Sequence, residues 1–249
     1  MGLLDLFASR EVKQQNVLRR LVKRVTEKYG PPENRQKAID QLGQMGTPAA
    51  LAALCQRFTV RAEPGITDDE EKEAALRILV EAGQTSVAPV QAFVRQEESG
   101  VAWGLRALAG ISSAEQLTAF ALAELSHLSR EYTRDPEKKL VLLAWLGEHH
   151  GGAQPPEVER ALLPLLEDFS DDVRIGAVRV LSTLAPGEAV REGIIQLLLR
   201  DQDNARVRGE VLEALARMGA DVKGYRPSVE ALLVEPYFLD REGNVKKRA

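Results

Sequence analysis

The most constraining feature of this sequence is a leucine that recurs late in every second predicted helix, at Leu42, Leu79, Leu108, Leu146, Leu181 and Leu215. The steps between these anchors are 37, 29, 38, 35 and 34 residues. Four positions before each anchor stand Ala38, Ala75, Gly104, Leu142, Ala177 and Val211, most of them small. Seven positions before stand Arg35, Lys72, Val101, Lys139, Arg174 and Arg208, basic in all cases but one. At 100° per residue the minus-seven position lies about 20° from the anchor, on the buried side near the start of the helix. A small residue at minus four lets a neighbouring helix approach closely. Unequal steps around a preserved template indicate stacked helical pairs, with insertions placed in the loops.

The rest of the pattern agrees. Apolar residues recur at spacings of three and four, and no long run alternates with a period of two. Breaks fall at short clusters such as Gly30-Pro31-Pro32, Gly46-Thr47-Pro48, Gly83-Gln84, Ser112-Ser113, Gly151-Gly152, Pro186-Gly187 and Gly219. Between them fit about twelve helices of roughly 11 to 18 residues, and such short connections require antiparallel neighbours. Aromatic residues are only 5% of the chain, which favours packed helices over an all-β core. The expected fold is therefore all-α: a right-handed α-solenoid of about six antiparallel helical pairs. Residues 1–32 are expected as an N-terminal capping helix, 33–235 as the repeat array and 236–249 as a C-terminal tail.

The segment Leu165-Leu166-Glu167-Asp168-Phe169-Ser170-Asp171-Asp172-Val173-Arg174-Ile175-Gly176-Ala177-Val178-Arg179-Val180-Leu181 resembles a HEAT repeat. It joins a leucine-rich first helix, an acidic turn, Val-Arg, a small residue and a closing leucine. Leu197 to Arg208 repeats the theme. The resemblance extends over residues 33 to 235, weakest around 99 to 135. A mean step of about 35 is shorter than the usual HEAT period of roughly 40 to 47, so the chain looks like the shorter bacterial HEAT-like repeats. The Trp-Leu-Gly-Tyr spacing of tetratricopeptide arrays is absent. The resemblance implies a binding scaffold whose second helices line a concave face. It also brings in two HEAT-like enzyme classes, the alkyl-base DNA glycosylases and the bilin lyase subunits.

Motifs for catalysis are few. There is no phosphate-cradling Gly-rich loop, no Gly-x-Ser-x-Gly elbow and no His-Glu-x-x-His helix. His149 and His150 precede Gly151-Gly152 as an ordinary helix stop, and His127 lies in a long helix without ligand partners in its motif. No metal or cofactor is therefore expected. Asp171 and Asp172 suit a turn and N-cap. Cys55 sits at helical spacing among Leu51, Leu54 and Phe58 and is read as core. A net charge of -4 speaks against nucleic acid as the default partner, and with it against the glycosylase reading. For the lyases no residue signature carries over. Met1–Phe7 lacks a basic start and a cleavage site, and the longest apolar stretch, Leu140 to Leu146, is too short for a bilayer, so a soluble cytoplasmic protein is expected.

Surface positions carry the functional expectation. Two and five residues before each anchor point about 160° and 220° away from it, outward from the second helix. The minus-two series reads Asp40, Arg77, Arg106, Ala144, Arg179 and Glu213, and the minus-five series reads Lys37, Ala74, Trp103, Val141, Gly176 and Glu210. Arg77, Trp103, Arg106 and Arg179 have the composition of an interface hot spot, so another protein is the expected partner. Arg35, Lys72, Lys139, Arg174 and Arg208 are expected to form a structural ladder, each reaching an acidic turn or the carbonyls of a neighbouring repeat. Trp145 is expected in the core. The first 28 residues carry a net +4, beside an apolar stripe at Val17, Leu18, Leu21, Val22 and Val25. With Leu3, Leu4, Leu6 and Phe7 at the tip, weak association with an anionic membrane through the N-terminus is a third reading.

Overall fold

The computed structural model describes residues 3–130, 135–149 and 152–248, and over 3–11 the backbone alone. The side chains of Leu3, Leu4, Leu6 and Phe7, and the whole of His150 and Gly151, thus lie outside the described residues. The chain divides into two compact units, residues 1–113 and 114–249.

In the first unit, α1 (Leu3–Val25), α3 (Pro48–Cys55) and α5 (Gln84–Gln96) form one layer, with a 3-10 turn at Gln56–Thr59. The second layer is α2 (Pro32–Met45), α4 (Gly65–Glu81) and α6 (Val101–Ile111). Each layer stacks along itself, α3 on α1 and α5 and α4 on α2 and α6, while α1–α2 and α5–α6 pack as pairs. The second unit repeats the plan. One layer holds α7 (Ala114–Leu128), α9 (Pro155–Leu162) with its 3-10 extension Leu163–Glu167, and α11 (Glu188–Arg200). The other holds α8 (Glu137–Glu148), α10 (Asp171–Leu184) and α12 (Ala205–Met218). Each unit is an all-α repeat stack, with three helical pairs among its described residues.

The anchor leucines explain this stacking. All six are at most 1% exposed, and so are the minus-four residues Ala38, Ala75, Leu142, Ala177 and Val211. Each buried leucine removes enough apolar surface to contribute about 1.5–3 kcal/mol. Gly104 holds the remaining minus-four position, where a Cβ would stand 2.6 Å from Val94 Cγ2 on α5. Helix ends follow local chemistry. The Thr47 and Asn204 side chains accept the backbone N–H groups of Ala50 and Val207 as N-caps, and Gly46 and Gly219 close α2 and α12 in the left-handed conformation.

Cys55 is fully buried, and burial pushes its thiol up to about 12, so it is a core residue. Trp145, expected in the core, is instead half-buried, its ring stacked on His149 at 4.1 Å. Its position beside Leu146 turns it 100° off the buried stripe, which accounts for the partial exposure.

Residues 236–248, expected as a tail, fold back on the array. After the short α13 (Arg226–Glu230), β1 (Tyr237–Leu239) and β2 (Val245–Lys247) form an antiparallel hairpin, and β2 packs on α12. Val245 is fully buried, and its N–H reaches the Ala220 carbonyl at 3.1 Å. Strands of three residues are too short to display alternation in a sequence.

Candidate functional site

The second layer of each unit presents the outward positions singled out by the sequence. In the first unit, Arg77 is exposed on α4, beside Ile66, Asp69, Glu70 and Glu73. One turn earlier, Glu73 accepts Arg106 Nη2 from α6 at 2.8 Å. The Arg106 guanidinium lies 4.4 Å from the centroid of Trp103. Trp103 itself is half-buried and stacks almost parallel on Phe58, with centroids 5.7 Å apart and planes 7° apart. The indole therefore closes over the 3-10 turn, leaving one side to the cationic partner. Arg77, Trp103 and Arg106 thus belong to one acidic-basic surface of α4 and α6.

Arg179 belongs to the second unit, where the outward face is more enclosed. Leu140, Leu143, Ala144 and Gly147 of α8 and Ile175, Gly176 and Val180 of α10 form a trough with a cavity volume of about 440 Å³. Gly176 sets its depth, since a Cβ there would meet Leu143 Cδ1 at 3.0 Å. Two ion pairs to α12 form its rim. Arg179 Nη2 reaches Glu210 Oε2 at 2.6 Å, and Arg206 pairs with Asp172. The bond to Glu210 raises the Arg179 pKa above its ordinary value, outweighing the opposing effect of burial. The outward series already contained Ala144, Gly176 and Glu210. The small members of that series, and not its aromatic and basic ones, make the trough. Arg206 falls outside that series and had no signal in it.

The five template cations occupy three kinds of position. Arg35 is fully buried, its Nε 2.8 Å from Glu71 of the next second-layer helix and its Nη1 bonded to the Glu27 and Gly30 carbonyls. Lys139 reaches Asp168 at 2.7 Å, in the turn before α10, and Arg174 reaches Asp201 at 2.9 Å, in the turn before α12. These three span consecutive repeats. Lys72 instead pairs along its own helix with Asp68 at 2.7 Å, and Arg208 donates to the Gln202 carbonyl of its own turn at 2.8 Å.

The residue that sequence reasoning missed here is Arg57. It is fully buried at the end of the first-layer helix and bridges Asp68 at 2.5 Å and Glu71 at 2.9 Å. Burial alone would raise the Asp68 carboxyl. The Ala62 N–H, Lys72 and Arg57 together hold it below the usual carboxylate range. Elsewhere, the side-chain amide of Asn204 and the charge of Arg174 lower the Asp171 carboxyl. At the hairpin, Tyr237 Oη and Lys247 Nζ both donate to Glu213 Oε2, at 2.6 and 2.9 Å. These bonds lower the Glu213 pKa. Burial, with Glu213 beside it, pushes the Tyr237 phenol up to about 12.

Among the described residues, no group of three His, Cys, Asp or Glu side chains could hold a metal ion, and no helix is long and apolar enough to cross a membrane. The arrangement offers surfaces with charged rims and an apolar floor, which suits recognition of a chain segment. Among known protein families, HEAT repeats match residues 157–243. No curated protein and no solved structure matches the chain.

Proposed function

Since residues 157–243 of this chain are HEAT repeats, with the same helical-pair plan built again in residues 1–113, we propose that it is a non-catalytic scaffold that binds another protein. The trough of α8 and α10 carries this reading. Its floor is apolar and held open by small residues, and its rim is set by the Arg179–Glu210 and Arg206–Asp172 pairs. A floor of that kind takes one or two aliphatic side chains of a partner segment, while the rim pairs can re-bond to the partner's backbone or charges. The Trp103–Arg106 stack with Arg77 is a second contact surface of the same protein, with the aromatic and Arg composition that dominates binding energy at interfaces.

Affinity capture from the native lysate tests the reading, comparing wild type with Ala144→Glu/Arg179→Glu and with Trp103→Ala/Arg106→Glu. Ala144 and Arg179 are exposed, so the first variant folds as wild type by circular dichroism. The expected result is a specific protein retained by wild type and lost by about tenfold or more from the trough variant, as for an interface hot spot. Hydrogen exchange on the complex should show protection of α8 and α10. A partner retained equally by both variants, or protection confined to other helices, overturns the site assignment.

A further inference from the structure

Helix α1 runs for 23 residues, a length of about 34 Å, and among its described side chains those that pack against the array lie in its C-terminal part. Leu21 and Val25 are buried and Leu18 and Val22 half-buried against α2 and α3, whereas every residue from Val12 to Val17 is exposed. The exposed faces are basic. Lys13, Arg19, Arg20, Lys23 and Arg24 are all exposed, and none forms an ion pair among the described residues. The first 28 residues carry +4 in a chain of net -4, so the rest carries -8. The sequence of the first two turns adds Leu3, Leu4, Leu6 and Phe7, broken only by Asp5.

We propose that the N-terminal part of α1 is a docking surface for an anionic lipid bilayer. Charge alone would suit nucleic acid or an acidic protein equally. Four large apolar residues within the five positions 3–7 of the sequence, ahead of the basic run, are what a bilayer interface takes up and a phosphate backbone does not. Lys and Arg beside such a segment add attraction to acidic headgroups that fades within a Debye length. The net -8 of the remaining chain is repelled by the same surface, which orients the molecule with the arm on the lipid and the repeats facing water.

The test is flotation of the full chain with vesicles of phosphatidylcholine alone and of phosphatidylcholine with phosphatidylserine, at low and high salt. Wild type should float with the anionic vesicles only, and raised salt should release it. Lys13→Glu/Arg19→Glu/Arg20→Glu should lower the bound-to-free ratio by at least about tenfold. Leu4→Ser/Phe7→Ser, which leaves every basic residue in place, should do the same. Unchanged thermal unfolding separates both losses from misfolding. No flotation with either vesicle, or flotation retained by both variants, overturns the proposal. Uptake of a short DNA duplex without vesicle binding overturns it too, and assigns the arm to nucleic acid.

Discussion

At the scale of single residues, the buried charges where α2, α4 and the 3-10 turn after α3 meet matter more than the exposed ones. Arg57, Asp68, Glu71 and Arg35 are each at most 3% exposed, so none can exchange its partner for water. Removing one member leaves another charge buried and unpaired, a loss far larger than that of an exposed pair. Arg57→Ala is expected to destabilise the protein by about 3–5 kcal/mol in denaturant unfolding. Arg179→Ala, which breaks a pair whose arginine is exposed, should change stability by less than about 1 kcal/mol. The anchor leucines were legible because their periodicity is local and their burial follows from it. Arg57 was not. Its partners lie 11 and 14 residues away on another helix, in an acidic run, Asp68 to Glu71, of a kind that ordinarily faces water. Trp103 was placed on the outward face by its register, but its ring packs on Phe58, 45 positions earlier, which a single-helix register does not contain.

At the scale of elements, the C-terminal hairpin is joined to the last helical pair by titratable groups. Glu213 on α12 accepts from Tyr237 and Lys247, and these bonds depress its pKa below the value it has in an unfolded chain. A depressed carboxyl contributes stability that is complete above the unfolded pKa and lost as pH falls through the folded one. Asp240, held low by the Asn244 side chain and backbone within the turn, acts in the same direction. Hydrogen exchange at Phe238 and Lys246 is therefore expected to accelerate on acidification, relative to the helices. Glu213→Gln should weaken that dependence and leave the part due to Asp240. Equal acid sensitivity in the variant would show that the hairpin is held by Val245 and its backbone bonds alone. The trough is an element-scale feature that the sequence half disclosed. Ala144 and Gly176 stand on the outward series, yet the depth between two helices depends on Leu143 and Gly176 meeting across the layer.

At the scale of the whole molecule, stability in stacked repeats is a sum of local and nearest-neighbour terms. A cavity in one pair should therefore be felt chiefly by the pairs beside it. Leu79→Ala, at a fully buried anchor, is expected to cost about 2–5 kcal/mol and to raise exchange in α2, α4 and α6 far more than in α10 and α12. Uniform acceleration across both units would mean that the chain unfolds as one cooperative body. The fold class was legible at this scale because six copies of one template average out local ambiguity. The assignment of surface to partner was not, because exposure leaves each residue free of the packing that gives the template its meaning.

The inter-repeat pairs have a consequence for modularity. Between α8 and α10, and again between α10 and α12, a cation near the start of one helix meets an aspartate in the following turn, at Lys139–Asp168 and Arg174–Asp201. These junctions share one grammar, so a repeat could be duplicated or transplanted there with donor and acceptor still matched. The α2–α4 junction follows a different one, with Arg35 and Arg57 both converging on Glu71 and Lys72 turned back to Asp68. A repeat inserted there would separate Arg35 from Glu71 and leave a buried charge without its partner.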